Sequence, residues 1–180
     1  MQTYDLIPHP AHPPLAVRRM EARVLSLADA WVRVRWRIDG VSKLVLPPFA
    51  GRGRADDLWQ TTCFEFFVQP LGGESYCEFN LSPSERWAAY DFSARREGMQ
   101  ERPLRREPDC TMRIGQSIAI FDAALPRENV PEPPATFGLC AVIEEAGGVK
   151  SYWAMTHRSA KPDFHDPACF AAKLGPRRAA

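Results

Sequence analysis

The 180-residue chain is long enough for one domain with a sizeable core, and its 45% apolar and 11% aromatic residues are typical of a globular protein. Its 23 lysines and arginines against 22 acids give no broad basic field, which argues against nucleic acid or an anionic membrane as a partner. Its apolar runs are far shorter than the ~20 residues that a membrane-spanning helix needs. We therefore expect a single domain over residues 1–180, with its core in residues 15–174.

The N-terminal segment and the cysteines indicate a reducing compartment. Residues 1–15 hold several prolines and Asp5 and lack the basic and apolar regions of a secretory signal, which predicts a cytoplasmic protein. The five cysteines form no CxxC pair, and an odd number cannot all form internal disulfides. We expect free, buried thiols at these positions. They are Cys63, Cys77, Cys110, Cys140 and Cys169.

Short segments in which polar and apolar residues alternate recur along the chain, and this period of two is typical of half-buried strands. In the clearest one, from Trp31 to Ile38, the even-numbered residues are apolar and the odd-numbered ones from Arg33 to Arg37 are arginines. The even-numbered face should therefore meet the core. The predicted strands are 20–27, 31–38, 43–46, 64–68, 76–81, 87–92, 114–121, 137–143, 152–157 and 170–174.

Two segments interrupt this pattern and are predicted to be loops. Residues 93–110 are rich in arginine with glutamates between, and residues 125–136 are dense in proline. Many short strands separated by Gly, Pro, Asn and Asp turns predict an all-β fold, either a sandwich or a barrel.

The turn at residues 72–73, a Gly-Gly pair, fixes the pairing of the segments on either side of it. It places Glu65 opposite Asn80 and Phe67 opposite Glu78. The apolar residues of both segments then share the other face, toward the core.

A second turn at residues 83–85 is expected to place Trp87 opposite Ser82 and Asp91 opposite Glu78. The outer face then mixes aromatic rings with carboxylates and an amide. Flat rings suit the apolar side of a pyranose, and fixed acceptors suit its hydroxyl groups, so this face predicts a sugar site. Its members are Cys63, Glu65, Phe67, Tyr76, Glu78, Asn80, Trp87 and Asp91.

An alternative interpretation of the same face is structural. In a sandwich the arginine-rich segment after Ser93 could cover it, so that Phe67 and Trp87 anchor that segment. Glu78 and Asp91 would then pair with its guanidinium groups. This interpretation predicts a covered face and no ligand.

Several motifs resemble those of bacterial DOMON-like proteins, which are relatives of the family 9 carbohydrate-binding modules. They are DLWQ at 57–60, CFEFF at 63–67 and EFNLSP at 78–83, and YWAMTH at 152–157 with KPDFHDP at 161–167 looks like the C-terminal signature of the group. The resemblance covers residues 31–174. It implies a two-sheet antiparallel β-sandwich of jelly-roll type whose relatives bind sugars or haem.

The resemblance also suggests binding residues. In family 9 modules a sugar lies between two tryptophans, with a glutamate a few residues after the first; Trp59 and Glu65 look like that pair, and Trp153 is the best match for the second ring. An unbroken strand would separate Trp59 from Glu65 by ~20 Å, so the chain has to bend near residues 61–62. The predicted ligand-binding set is Trp59, Glu65, Glu78, Asn80, Trp87, Trp153 and His157.

Haem is the alternative ligand, because haem-binding DOMON relatives use methionine and histidine as axial ligands. Met155 and His157 share a strand face with Trp153, but two residues so close cannot lie on opposite sides of one haem. Either His157 would pair with a distant methionine such as Met99, or Met155 with another histidine.

Metal binding and catalysis receive weaker support from the sequence. Asp163, His165 and Asp166 could hold a structural calcium ion, although a loop fixed by its prolines explains them as well. Close carboxylates such as Glu65 and Glu78 could in principle hydrolyse glycosides. Lacking a recognisable catalytic motif, the chain is predicted to be a non-catalytic module that binds a mono- or oligosaccharide without a cofactor, with a protein-interaction domain as a further alternative.

Overall fold

The computed structural model describes residues 2–26 and 30–174, and this part of the chain is all-β. Three short 3₁₀ turns, Leu58–Gln60, Arg127–Asn129 and Pro167–Cys169, connect some of its strands. Within these residues no helix has the length and apolar character to cross a membrane. The strands are β1 (Thr3–Pro8), β2 (Arg19–Ser26), β3 (Trp31–Asp39), β4 (Leu44–Val45), β5 (Gly53–Arg54), β6 (Cys63–Pro70), β7 (Tyr76–Leu81), β8 (Arg86–Phe92), β9 (Gln100–Glu101), β10 (Asp109–Ile114), β11 (Ile118–Pro126), β12 (Ala135–Glu145), β13 (Val149–Ala154) and β14 (Ala172–Leu174).

The strands form one curled, largely antiparallel sheet in the order β10-β11-β3-β2-β1-β13-β12-β6-β7-β8-β5. Strand β1 joins its two arms, because residues 3–6 pair with β2 while Ile7 and Pro8 pair with β13. The sequence pattern does not flag this strand, whose apolar residues are interrupted by Asp5 and Pro8. Leu6 is nevertheless buried in the core, which therefore begins before residue 15.

The core lies on the concave side of the curled sheet. The even-numbered face of β3 is fully buried, which confirms the alternation seen in the sequence. Trp36 of β3 contacts Phe64 of β6 and Phe121 of β11, with ring centroids 5.4 and 5.9 Å apart. Phe64 and Phe121 stack at 4.1 Å. These contacts bring β3 and β11 of one arm against β6 of the other.

The predicted pairing of β6 with β7 is confirmed, including Glu65 with Asn80 and Phe67 with Glu78. The predicted pairing of β7 with β8 is wrong by one residue, since Leu81 pairs with Trp87 and Glu78 pairs with Tyr90. A shift of one residue turns every side chain of a strand to the other face. Trp87 therefore lies on the core side, and Tyr90 takes the outer position beside Glu78.

The geometry of the second turn explains the shift. Ser82 pairs with Arg86 through the Ser82 N to Arg86 O hydrogen bond of 2.9 Å, so three residues form the loop. Glu85, the last of them, has a left-handed φ of 70°, the arrangement typical of three-residue hairpin loops. Ser84 N also donates to the hydroxyl of Ser82 at 3.1 Å. This turn type usually has glycine at the left-handed position, so the glutamate at residue 85 gives no sign of it in the sequence.

Two other strand predictions need correction. Residues 114–121 are not one strand, because a tight turn after Ile114 separates β10 from β11, closed by the Gly115 N to Ile118 O hydrogen bond of 2.8 Å. The predicted strand at residues 152–157 ends at Ala154. Residue 27, the end of the first predicted strand, lies outside the described residues. All five cysteines are free and buried, as expected.

Candidate functional site

A cavity of about 790 Å³ lies on the outer face of the β6-β7-β8 meander. Strand residues form its floor, and three loops with the N-terminal segment form its walls. Volumes of this order are typical of small-molecule sites. Its lining consists of His12, Asp56, Asp57, Trp59, Glu65, Glu78, Asn80, Tyr90, Phe92, Arg96, Met99, Val142, Tyr152, Lys161, Pro162, Phe164 and His165.

Three polar side chains on the floor are almost fully buried: Glu65 is 4% exposed, Glu78 6% and Asn80 2%. Asn80 Nδ2 donates to Glu78 Oε1 at 2.7 Å, but Asn80 Oδ1 has no hydrogen-bond partner. The Glu65 carboxyl makes no hydrogen bond to any residue in 2–26 or 30–174. Asn80 Oδ1 is itself shielded from solvent, so the unused hydrogen-bonding capacity that is open to the cavity is that of Glu65, which lines it.

Burial favours the neutral forms of the two floor carboxyls. Burial raises the pKa of Glu65 well above its usual value, and the nearby Glu78 raises it further, while Arg96 opposes the shift. Burial also raises the pKa of Glu78 to about 7, against the opposing hydrogen bond from Asn80. Since Phe67 pairs with Glu78 and Glu65 with Asn80, the two glutamates occupy diagonal positions on neighbouring strands.

His165 forms the wall next to Glu78. Its Nδ1 is hydrogen bonded to the Tyr76 hydroxyl at 2.7 Å, and its Nε2 lies 3.7 Å from Glu78 Oε2. Burial and the charge of Arg96 lower the pKa of His165 to about 4. The imidazole is therefore neutral near pH 7, and its contact with Glu78 is not an ion pair.

Asp163 ties two of the wall loops together. Its carboxylate accepts hydrogen bonds from Arg95 at 2.5 Å and from Arg96 at 2.8 Å. Although burial opposes ionisation, these two arginines lower the pKa of Asp163 below its usual value. The positive charge of Arg96 at the cavity is thus already paired.

The rim opposite these loops carries Trp59, which is 50% exposed on the 3₁₀ turn at residues 58–60. Asp57 begins this turn with a left-handed φ of 59°, and the chain bends before β6 begins at Cys63. Trp59 and Glu65 consequently line the same cavity, as the bend expected near residues 61–62 requires. Tyr90 donates a hydrogen bond from its hydroxyl to Asp56, which connects the floor to this rim.

The structure brings together four of the seven residues that the sequence suggested for ligand binding. Trp59, Glu65, Glu78 and Asn80 line the cavity. Trp87 lies in the core because of the register shift described above. Tyr90, which the predicted register would turn toward the core, occupies the cavity in its place.

Trp153 and His157 also lie away from the cavity. Trp153 is 2% exposed in the core, where its Nε1 donates to the Ser151 hydroxyl at 2.9 Å. The preceding residue, Tyr152, points to the opposite face of β13 and lines the cavity. His157 follows the end of that strand, and its Nε2 lies 3.1 Å from the backbone oxygen of Ile7. The resemblance points to Trp153, but successive strand residues face opposite sides of a sheet, so only one of Tyr152 and Trp153 can line the cavity.

Only part of the outer face is covered, and mainly by a different segment from the one expected. Phe67 is fully buried, with its ring 5.5 Å from that of Phe170 and 5.3 Å from that of His165. The cover over Phe67 therefore comes from the C-terminal segment rather than from residues 93–110. Arg102 of that loop does pair with Asp91, with Nη1 2.6 Å from Oδ1, but the register shift turns Asp91 to the same side of β8 as Trp87, so this pair does not cover the outer face.

The two aspartates suggested as metal ligands are bonded to other protein groups, and the two methionines suggested as haem ligands lie in different parts of the structure. Asp163 binds the two arginines named above, and Asp166 Oδ1 accepts a hydrogen bond from Ala168 N at 2.9 Å. In the part of the chain that the structure describes, no three His, Cys, Asp or Glu side chains converge as metal ligands would. Met155 packs against the core, whereas Met99 lines the cavity.

Comparisons with known proteins relate the fold to that of a solved structure. No protein-family model matches the chain, and no curated protein matches its sequence. The chain is similar in structure to a proposed carbohydrate-binding protein from Bacteroides uniformis ATCC 8492, with a TM-score of 0.61 and 15% sequence identity over 93% of this chain and 83% of that one. At this level of identity the similarity is one of fold.

Proposed function

We propose that the chain is a non-catalytic module that binds a mono- or oligosaccharide in the cavity on β6, β7 and β8. The observation that carries this proposal is the unused hydrogen-bonding capacity of Glu65 beneath an open, aromatic-lined cavity. Groups that are buried without a partner cost stability, and a ligand rich in hydroxyl groups supplies the missing donors. The fold shared with a proposed carbohydrate-binding protein is consistent with this role.

The proposal includes a β-sandwich of the jelly-roll, DOMON-like type for the curled sheet. Its support is the packing of β3 and β11 against β6, which makes a core between two arms of the sheet. The motifs that resemble DOMON-like proteins lie on the elements that build the cavity, since DLWQ forms the rim and EFNLSP contributes to the floor.

In the proposed complex the Trp59 ring covers the apolar face of one sugar ring, because it is the exposed aromatic side chain at the rim. Glu65, Glu78 and Asn80 bind hydroxyl groups from below. Tyr152 takes the place of the second aromatic ring that the resemblance assigned to Trp153.

Titration of the purified protein with mono- and disaccharides, followed by tryptophan fluorescence and calorimetry, tests the proposal. We expect saturable binding that shifts the emission, and we expect Trp59→Ala to abolish it. Trp31→Phe serves as the matched control, because Trp31 lies outside the cavity against Arg106 and its loss should leave the affinity unchanged.

Three results would overturn the proposal. The first is an absence of calorimetric heat with every sugar tested, and the second is full sugar affinity in Trp59→Ala. The third is hydrolysis of oligosaccharides by the purified protein at a rate that falls in Glu78→Gln, which would make the module an enzyme. A Soret absorption band in the purified protein would favour haem as the ligand instead.

A further inference from the structure

The charges and rings around the cavity floor restrict which sugars suit it. The lining has two buried carboxyls, and the Glu65 carboxyl has neither a cation nor a hydrogen-bond donor beside it in the described residues. The charge of Arg96 lowers the pKa of Glu65, but its guanidinium is held by Asp163 at 2.8 Å. Five aromatic side chains surround the same space. They are Trp59, Tyr90, Phe92, Tyr152 and Phe164.

The groups facing Glu65 contribute little compensating charge. Cys63 and Cys140 flank it on the sheet, and burial raises the pKa of each thiol well above its usual value, so both are neutral. His165 is neutral near pH 7, for the reasons given above. Glu78 carries a like charge when ionised.

The charges at the rim nearly cancel. Asp57 and Lys161 are opposite in sign and exposed there, and Asp56 is paired with Arg54 at 2.9 Å. The floor is therefore the acidic part of the cavity, and Arg96, whose charge acts on both floor carboxyls, is already paired with Asp163.

We infer that the sugar bound in this cavity carries a free amino group, whose ammonium lies between the Glu65 carboxylate, Glu78 and the aromatic rings. This inference rests on the proposed function and specifies its ligand class. An ammonium supplies a positive charge that favours the ionised floor carboxyls, and it donates to the Glu65 carboxylate, which is otherwise unpaired in the described residues. Aromatic faces add a cation–π attraction in a site partly shielded from water. A neutral sugar supplies hydroxyl donors but no charge that would favour the ionised form of the floor carboxyls.

Binding of an ammonium should also release protons. In the empty cavity the raised pKa values of Glu65 and Glu78 keep protons on the floor at pH 6.5, where the sugar amine is already charged. An ammonium beside the pair favours the ionised form, so binding displaces a proton to the buffer. Hydroxyl groups have no such effect.

The test compares matched sugars by calorimetry at pH 6.5: glucosamine, glucose and N-acetylglucosamine, and the corresponding galactose set. We expect the amine member of one set to bind about tenfold more tightly than its hydroxyl and N-acetyl members, since charged hydrogen bonds are about twice as strong as neutral ones. Titrations in phosphate and in MES, which both buffer near pH 6.5 and differ in ionisation enthalpy, should give heats that reveal proton release with the amine sugar alone.

Glu65→Gln keeps the shape of the side chain and removes its charge, so the affinity ratio of amine to hydroxyl sugar should fall to about one. Glu74→Gln makes the same change on the exposed turn between β6 and β7 and should leave the ratio intact. Glu78→Gln provides a second variant of the floor should Glu65→Gln fold poorly, and it should lower the ratio in the same direction.

The outcomes separate the two proposals. Equal affinity for amine and hydroxyl sugars would overturn the amine preference while leaving the sugar-binding function in place. An amine preference that persists in both Glu65→Gln and Glu78→Gln would overturn the assignment to the floor. Binding of no sugar in any set would overturn both.

Discussion

Two buried glutamates show how differently this fold treats a carboxyl group. Glu145, at the end of β12, is fully buried and accepts hydrogen bonds from the backbone of Leu15, Ala16 and Val17 at 2.6, 2.7 and 3.1 Å. Glu65, on the neighbouring strand β6, is almost as buried but has no such donor among the described residues. The described chain thus supplies hydrogen-bond donors for the Glu145 carboxyl but not for the Glu65 carboxyl.

The difference separates a structural group from a candidate binding group. The amide hydrogens around Glu145 would be orphaned without it, and the bonds anchor the segment that brings His12 to the cavity. Around Glu65, by contrast, the folded chain incurs a desolvation cost that only a partner from outside can offset. Such a cost is expected where function rather than stability selects the residue.

Glu145→Ala should give the largest loss of stability. The change removes three hydrogen bonds to a charged group and leaves buried amides without partners, so we expect the free energy of unfolding to fall by about 3–5 kcal/mol. Urea unfolding measures the change. Glu144→Ala, on the opposite face of the same strand, is the control and should cost much less. A loss below about 1 kcal/mol would show that water replaces the carboxylate and that the contrast with Glu65 is overstated.

Glu78 on the cavity floor should make the protein less stable as the pH rises, which is the reverse of the usual effect of a carboxyl group. Because the pKa of Glu78 is about 7 when folded and 4.5 in its ordinary state, the folded protein retains the proton longer than the unfolded chain. The contribution of Glu78 to the free energy of unfolding is fully present below pH 4.5. It is lost as the pH rises through 7, a fall of up to about 3 kcal/mol.

His165 makes the free energy of unfolding rise with pH, which masks the effect of Glu78 in the wild type. Its pKa is about 4 when folded against an ordinary 6.5, so its contribution is present above pH 6.5 and is lost as the pH falls through 4. The measurement is therefore the wild-type free energy of unfolding minus that of Glu78→Gln, by urea unfolding from pH 4 to 8. This difference should fall as the pH rises; a flat or rising difference would contradict the raised pKa.

Glu65→Met should stabilise the empty protein, in contrast to any change at Glu145. An apolar side chain of similar size removes a carboxyl that burial disfavours and for which the described chain provides no donor, so we expect a gain of about 1–2 kcal/mol near pH 7. Thermal unfolding measures this gain. Glu74→Met is the exposed control, and its free energy of unfolding should stay within about 0.5 kcal/mol of the wild type. A clear loss of stability would mean that Glu65 has a structural partner.

The contrast between the two glutamates was beyond the reach of sequence reasoning, although part of the site was not. The Gly-Gly turn at residues 72–73 gave the correct register of β6 with β7, and with it the outward positions of Glu65, Glu78 and Asn80. Local turn chemistry sufficed there. Glu145 offered no comparable signal, because its partners lie some 130 residues earlier in the chain, at separations of 128 to 130.

The errors at the site have two sources. The wrong pairing after Ser82 exchanged Trp87 for Tyr90, and the family resemblance pointed to Trp153 where the neighbouring Tyr152 lines the cavity. A tryptophan is the more conspicuous candidate for a sugar platform, but its large apolar surface equally suits a core. The cover over Phe67 depends on a distant segment, so no local pattern could indicate it.

Trp59→Ala should have the smallest effect on stability and so sharpens the distinction between binding and structure. With half of its side chain exposed on a short 3₁₀ turn, Trp59 has little core contact to lose, and we expect the free energy of unfolding to change by less than about 0.5 kcal/mol. Trp87→Ala is the matched control: its ring is 6% exposed in the core, and its loss should cost about 3–5 kcal/mol. If Trp59→Ala instead destabilised the fold by several kcal/mol, the ring would be holding the rim against the floor, and its exposure would no longer indicate a platform for a sugar.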